Sequence, residues 1–98
     1  MGYQAITVMD LKKLIAEKEL IIVDVRDALS FEQSHIKNAV HLHDGNLDFF
    51  LNETKRDRPV VVYCFHGHSS RNAANYLNEQ GFAEVFSLEG GYADWESS

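Results

Sequence analysis

The segment that most constrains the fold is an apolar, β-branched run that stops at the only cysteine of the 98-residue chain. This run, Val60–Tyr63, has the composition of a buried strand, and Pro59 before it ends any preceding helix. After Cys64 come Gly67, two serines and a helical pattern over residues 72–80. A strand, a short loop and a helix in this order are typical of an α/β fold.

The same alternation continues along the rest of the chain. Apolar runs predict four further strands, at residues 3–6, 20–23, 39–42 and 83–86. Apolar periodicity predicts further helices at residues 8–18, 28–34, 45–52 and near the C-terminus. Thr7 is placed to cap the first helix, with Asp10 as its capping-box partner, and Gly81 is placed to end the helix after the cysteine. We therefore predict a single domain, residues 1–98, of class α/β with a central, mostly parallel five-stranded sheet flanked by helices.

Four of the predicted helices have apolar residues that we expect to face the core. These residues are Val8, Leu11, Leu14 and Ile15 in the first helix, Leu29 and Phe31 in the second, Leu47, Phe50 and Leu51 in the third, and Ala73, Ala74, Tyr76 and Leu77 in the helix after the cysteine. In the C-terminal helix, Tyr92 and Trp95 are expected to pack against the body of the protein.

Charge and composition argue against several classes of partner. The formal net charge is −6, whereas a nucleic-acid surface needs clustered lysine and arginine. No apolar run approaches the length of a membrane span, which is about 20 residues, and the N-terminus lacks a signal-peptide core. A single cysteine forms no internal disulfide, so nothing requires an oxidising compartment. We expect a cytoplasmic protein without nucleic-acid or membrane partners.

The surroundings of Cys64 favour a reactive thiolate over a buried apolar cysteine, which is the usual role of a lone cysteine. The residue ends a strand, so we expect its sulfur near the surface. Gly67 allows the loop to turn N–H groups toward an anion. Ser69 and Ser70 are natural caps for the following helix, whose N-terminus carries about half a positive charge. Together these features lower the pKa of the thiol from about 8.5 toward neutrality.

Two histidine pairs raise the alternative of a metal site. His41 and His43, like His66 and His68, are separated by one residue, and on a strand such a pair faces one side. Zinc needs a third or fourth ligand, and a metal-bound Cys64 thiolate would be a poor nucleophile. We therefore expect neither a metal nor an organic cofactor.

Four segments occur in an order and at spacings that identify a family. They are Val23-Asp24-Val25-Arg26, Ser34-His35-Ile36-Lys37-Asn38-Ala39, Val62-Tyr63-Cys64-Phe65-His66-Gly67-His68-Ser69-Ser70 and Gly90-Gly91-Tyr92-Ala93-Asp94-Trp95. Together they resemble the single-domain rhodaneses, thiosulfate sulfurtransferases of the bacterial GlpE type, over nearly the whole chain. Ser34 and Lys37 stand where the family motif has glycine and proline.

The resemblance implies the rhodanese-like fold and a ping-pong sulfur transfer without a cofactor. The Cys64 thiolate would attack the outer sulfur of thiosulfate, release sulfite and become a persulfide. A thiophilic acceptor such as cyanide, a dithiol or the thiol of a thioredoxin-like protein would then remove the sulfur. The predicted substrate-binding residues are Phe65, His66, Gly67, His68 and Ser69, whose N–H groups would stabilise the anionic sulfur, with Arg71 as a weaker candidate.

Supporting roles are expected for three further residues. Asp24 and Arg26 are predicted to form an ion pair that braces the strand end beside the loop. His35 belongs to the second motif and is predicted to make a structural hydrogen bond.

Two other functions remain as alternatives. Cysteine phosphatases and arsenate reductases are related in chemistry, but the phosphatase loop has its arginine where this chain has Ser70, and here the arginine is Arg71. The resemblance implies that the cysteine loop of this chain is shorter than a phosphatase loop. It would therefore leave less room for a tetrahedral oxyanion against the sulfur. Some rhodanese-like domains are non-catalytic binding or regulatory modules, but those commonly lack the cysteine.

Overall fold

The computed structural model describes residues 2–98, which contain five strands and five helices. The strands are β1 (Gln4–Ile6), β2 (Ile21–Asp24), β3 (Val40–His41), β4 (Val60–Tyr63) and β5 (Val85–Leu88). The helices are α1 (Val8–Glu17), α2 (Ala28–Gln33), α3 (Leu47–Glu53), α4 (Ser69–Glu79) and α5 (Gly91–Glu96). The predicted α/β class is confirmed. No helix in this range is long and apolar enough to cross a membrane.

The strands form one sheet in the order β1-β5-β4-β2-β3, and every neighbouring pair is parallel. The central strand is β4, which pairs with β2 through Val23 and Val62 and with β5 through Val62 and Ser87. Because all the strands are parallel, their carboxyl ends lie at one edge of the sheet. Asp24 is the last residue of β2 and Cys64 directly follows β4, so the two residues lie at that edge.

The core consists of two apolar clusters whose β4 residues alternate along the strand. Val61 and Tyr63 belong to the cluster that includes residues of α1 and α5. Val60 and Val62 belong to the cluster that includes residues of α3 and α4. This alternation follows from the strand period of two, and it places the two clusters on opposite faces of the sheet. All four β4 residues are fully buried, as expected for a strand covered on both faces.

The last strand lies two residues later than the sequence pattern predicts. Val85 pairs with Val60, and β5 extends to Leu88, which is fully buried. The predicted start at residue 83 was wrong, because Ala83 and Glu84 are exposed and precede the pairing with β4. The apolar pattern missed the end of the strand because Ser87 interrupts it, although Ser87 is buried.

Several predicted helical features are confirmed. Thr7 Oγ1 accepts from the backbone N–H of Asp10 at 3.1 Å, and an Asp10 carboxylate oxygen accepts from the N–H of Thr7 at the same distance, which completes the predicted capping box. Val8 and Leu11 are buried as expected, and so is Phe50 of α3.

Three of the predicted core residues are exposed instead. Leu29 is 64% exposed, Ile15 is 45% exposed and Tyr76 is 38% exposed. α2 is a six-residue helix without a buried residue, and Asp27 caps it by accepting from the N–H of Ser30 at 3.2 Å. This cap stabilises the start of the helix, while Leu29 lies on its exposed side.

Candidate active site

Cys64 begins a five-residue segment, residues 64–68, that connects β4 to α4 and that we call the cysteine loop. α4 begins at Ser69, three residues before the predicted start, so Ser70 and Arg71 lie in its first turn and His68, not a serine, is its N-cap residue. The expectation of a sulfur near the surface was wrong, since Cys64 is only 5% exposed. The carbonyl groups of Cys64 and Phe65 accept hydrogen bonds from α5, which draws the loop against the body of the protein.

Two backbone N–H groups converge on the sulfur. Gly67 N lies 3.1 Å from Sγ of Cys64, and Ser70 N lies 3.3 Å from it. Gly67 lies inside the range predicted to bind the anion and has φ +97, in the left-handed region that favours glycine. Ser70 lies outside that range, and sequence reasoning missed it. The predicted helix start offered a signal for Ser70, because the first N–H groups of a helix have no partner within the helix and can bind an anion.

These donors change the acidity of the thiol. Burial of Cys64 by itself raises the pKa of the thiol. The hydroxyl groups of Ser70 and Ser69 and the backbone N–H groups of Ser70 and Gly67 outweigh this effect and lower the pKa from 9.0 to about 7. The thiolate is therefore a major form of Cys64 at neutral pH, which is the state required of a sulfur nucleophile.

The N-terminus of α5 holds the cysteine loop through two backbone hydrogen bonds. Tyr92 N donates to the Cys64 carbonyl at 2.8 Å, and Ala93 N donates to the Phe65 carbonyl at 3.0 Å. Gly91 has φ +59, and a Cβ atom there would lie 2.5 Å from the Cys64 carbonyl oxygen. A Cβ atom on Gly67 would likewise lie 2.9 Å from the backbone nitrogen of Gly90. The close approach of the loop to α5 therefore requires glycine at these contacts.

A buried ion pair lies at the end of the neighbouring strand. Arg26 Nη2 lies 2.8 Å from Asp24 Oδ2, and the guanidinium also donates to the carbonyl of Ser34 at 2.6 Å. The Asp24 side chain is fully buried and that of Arg26 is 6% exposed. The guanidinium lies over the ring of Tyr92 at 4.2 Å, and Ser34 Oγ lies 2.7 Å from the Tyr92 hydroxyl. This network links β2 to α5, while the supporting role of Asp24 and Arg26 in activity stays a prediction.

The remaining predicted residues are engaged with their own surroundings. His35 Nδ1 lies 2.7 Å from the carbonyl oxygen of Phe31, on whose ring it stacks. His66 and His68 are exposed on the cysteine loop. Arg71 makes hydrogen bonds to His68, with Nη2 lying 2.9 Å from the ring nitrogen Nδ1. Contact of these side chains with substrate stays a prediction.

The histidine pair at the end of β3, His41 and His43, is also bound to the backbone. His41 Nε2 lies 2.6 Å from the carbonyl oxygen of Arg26, and His43 Nδ1 accepts from the N–H of Gly45 at 3.1 Å. Between residues 2 and 98, no group of three or more histidine, cysteine, aspartate or glutamate side chains is placed to hold a metal ion.

Comparisons with known proteins point to one family. The family described as "Rhodanese-like domain" matches residues 7–98. The chain is 44% identical over 97 residues to a curated protein of Shewanella oneidensis named thiosulfate sulfurtransferase GlpE, covering 99% of this chain and 96% of that protein. It is 41% identical over 97 residues to a protein of the same name from Coxiella burnetii, covering 99% and 91%.

The fold is similar to that of solved structures of the same description. A rhodanese-like domain protein from Staphylococcus aureus superposes with a TM-score of 0.80 at 28% sequence identity. The match covers 94% of this chain and 90% of that chain.

Replacing Gly91 tests the contact between the loop and α5. We expect Gly91→Ala to lower the free energy of unfolding by at least about 2 kcal/mol, because alanine strains the left-handed backbone and its Cβ meets two carbonyl groups. Urea denaturation measures the change. The control is Gly45→Ala, whose Cβ would meet the exposed ring of His43, which can turn aside. Equal stabilities of the two variants would show that the contact is unimportant.

The pH dependence of Cys64 alkylation tests the acidity of the thiol. With iodoacetamide, we expect the alkylation rate of the folded protein to rise with pH, to have its midpoint near pH 7 and to level off above it. The rate falls below pH 7 because the thiolate becomes protonated. The urea-denatured protein is the control and is expected to have its midpoint near 9.0, since the donors are no longer aligned. A folded-state midpoint near that of the denatured chain would contradict the geometry.

Proposed function

The chain belongs to the rhodanese-like family and is a sulfurtransferase, and we propose that it takes the outer sulfur of thiosulfate and carries it on Cys64 as a persulfide. The observation that carries this proposal is the convergence of the Gly67 and Ser70 N–H groups on Sγ. The full-length relatives named thiosulfate sulfurtransferase support the same activity and the same donor.

In the first half-reaction, the thiolate of Cys64 attacks the outer sulfur of thiosulfate. A sulfur–sulfur bond forms to Sγ while the bond within thiosulfate breaks, and sulfite leaves with the bonding electron pair. The product is a cysteine persulfide whose terminal sulfur carries the negative charge. No proton, oxidant or reductant is needed, because the Cys64 thiolate and the thiosulfate dianion are converted into a persulfide anion and the sulfite dianion.

In the second half-reaction, an acceptor nucleophile attacks the terminal sulfur and restores the Cys64 thiolate. With cyanide the product is thiocyanate. The loop donors serve both states because N–H groups stabilise anionic sulfur without being consumed. Hydrogen bonds from α5 to the Cys64 and Phe65 carbonyl groups hold the cysteine loop before substrate arrives, so its donors need no rearrangement during the reaction.

The local field explains how a protein of net charge −6 accepts a dianionic donor. α4 is an 11-residue helix, and the Ser70 N–H in its first turn points at Sγ. The partial positive charge at a helix N-terminus favours anions near it. Backbone dipoles thus concentrate the positive potential at the sulfur, while the charge of the nearby Asp24 carboxylate is balanced by Arg26.

The contacts of Arg71 favour sulfur transfer over phosphatase chemistry. A phosphatase loop uses its arginine to hold a tetrahedral oxyanion against the sulfur. Here the guanidinium of Arg71 is bound to the ring and the carbonyl of His68, and Ser70 occupies the position of the phosphatase arginine. A non-catalytic binding role is disfavoured because a thiol of pKa about 7 with two aligned donors has no use in a passive module.

For the acceptor we propose a thioredoxin-like dithiol protein that docks at Phe65, with small dithiols and cyanide as alternative acceptors. Phe65 adjoins the buried Cys64, yet it is 50% exposed, and its ring lies edge-on to that of His66, at 4.4 Å between centroids. An exposed aromatic residue beside a reactive atom is a suitable contact for a protein partner. Because a free thiol at Cys64 must stay reduced, we also propose a cytoplasmic location.

The persulfide is tested by intact-mass measurement after incubation with thiosulfate alone. We expect the wild-type protein to gain one sulfur atom and Cys64→Ser to gain none. Sulfite release on addition of cyanide is expected to disappear in the same variant. Absence of the mass gain in the wild type, together with hydrolysis of a phosphate ester, would replace the proposal with phosphatase activity. Absence of both activities would favour a binding module.

The acceptor site is tested by comparing two acceptors. We expect Phe65→Ala to slow sulfur transfer to reduced thioredoxin about tenfold relative to transfer to cyanide, because a lost aromatic contact at a protein interface costs about 1–2 kcal/mol. Phe49→Ala is the matched control, since Phe49 is 70% exposed but lies in α3. An unchanged ratio of the two rates in Phe65→Ala would exclude Phe65 from the docking site.

A further inference from the structure

Ser87 is a buried polar residue in the middle of an apolar strand. Its neighbours in β5 are Val85, Phe86 and Leu88, and Ser87 itself is 2% exposed. A buried hydroxyl group is costly unless it has a hydrogen-bond partner. The partner of Ser87 is Ser70 of α4, which is fully buried, and the two Oγ atoms lie 2.8 Å apart.

The register of the sheet explains why this pair lies close to the reactive sulfur. Ser87 is paired with Val62 of β4, and Cys64 follows Val62 by two residues along the same chain direction. Residues two apart in an extended strand face the same side. Ser70 covers this side from α4 and donates its backbone N–H to Sγ. The two serines therefore form a line of polar groups from β5 to the sulfur.

The hydroxyl proton of Ser70 has two acceptors to choose between. One is Sγ of Cys64, because the backbone nitrogen of Ser70 lies 3.3 Å from Sγ, which places Ser70 beside the sulfur, and its hydroxyl is among the groups that lower the pKa of the thiol. The other is Oγ of Ser87. A hydroxyl group has only one proton. The Ser70 proton reaches the sulfur only if the hydrogen bond between the serines runs from Ser87 to Ser70.

When the sulfur is anionic, the hydrogen bond between the serines is expected to run from the Ser87 hydroxyl to Ser70 Oγ. A Ser87 proton donated to Ser70 Oγ polarises the Ser70 O–H bond and strengthens its bond to the anion. Serine hydroxyls in helices also bond to carbonyl groups of the preceding turn. A fixed contact with Ser87 competes with this alternative and keeps Ser70 Oγ on the side of the sulfur.

We propose that Ser87 is a positioning residue, which directs the Ser70 hydroxyl to Cys64 and so completes a two-serine relay that stabilises anionic sulfur. Ser87 acts through Ser70 and has no contact of its own with substrate. The relay serves the thiolate of the free protein, and its action on the persulfide rests on the proposed function.

The test is a double-mutant cycle read by the pH dependence of Cys64 alkylation in the intact protein. At pH 6 we expect Ser70→Ala to lower the alkylation rate about tenfold, because a hydrogen bond to a charged group is lost. Ser87→Ala is expected to lower it about threefold, since Ser70 keeps its hydroxyl but loses its orientation. The double variant is expected to match Ser70→Ala, because Ser87 has no effect without Ser70.

Val85→Ala is the matched control for a general loosening of β5. Val85 lies two residues before Ser87 on the same strand, is buried and has no hydroxyl group. We expect its alkylation midpoint to equal that of the wild type, although its stability falls. The proposal is overturned if Ser87→Ala keeps the wild-type midpoint, if its effect persists in the Ser70→Ala background, or if Val85→Ala causes the same shift.

The two proposals fail in distinguishable ways. Alkylation needs no thiosulfate, so the relay to the thiolate is measured even in a protein that transfers no sulfur. A wild type that forms a persulfide while Ser87→Ala shows an unchanged midpoint contradicts the relay alone. A wild type that forms no persulfide while the cycle behaves as expected contradicts the proposed function alone.

Discussion

The geometry of the cysteine loop depends on two hydrogen bonds from the first turn of α5. They join the N–H groups of Tyr92 and Ala93 to the carbonyl groups of Cys64 and Phe65, and they hold the loop in the conformation that turns its own N–H groups toward Sγ. The contact is close enough to require glycine at position 91. A segment almost 30 residues away in sequence therefore decides the shape of the loop, and the last helix is as important for the site as the strand that bears the cysteine.

The chemistry that follows is controlled by neutral dipoles. Burial alone would keep Cys64 protonated, and the donors that reverse this effect are the Gly67 amide, the Ser70 amide and the serine hydroxyl groups. Neutral donors stabilise an anion without the desolvation penalty of a buried cation. They would also suit the proposed persulfide, since its negative charge lies farther out but has the same sign. Among residues 2–98, one charged pair is buried beside the site, and it is formed by Asp24 and Arg26. This pair joins β2 to α5.

Much of the fold was predictable because its patterns are local. The β-branched run of β4, the capping box at Thr7 and Asp10 and the alternation of strands and helices all follow from near neighbours in sequence. The predictions were wrong where contacts with residues distant in sequence determine the structure. Ser87 looked like the end of a strand, but its hydroxyl is satisfied by Ser70, so β5 continues past it. Leu29 looked like a core residue, but the short helix α2 places it on an exposed side.

The amino-acid sequence by itself determined the class of fold and singled out Cys64 as the candidate nucleophile, because the cysteine lies between a buried strand and a helix and is followed by glycine and serine. It also indicated that glycine and serine would lie close to the sulfur. Only the tertiary structure decided which groups reach Sγ, that the sulfur is buried, and that Ser70 belongs to the site. Those outcomes depend on the packing of α5 and β5 against the loop. Such packing joins residues far apart in sequence, and no periodicity within one segment encodes it.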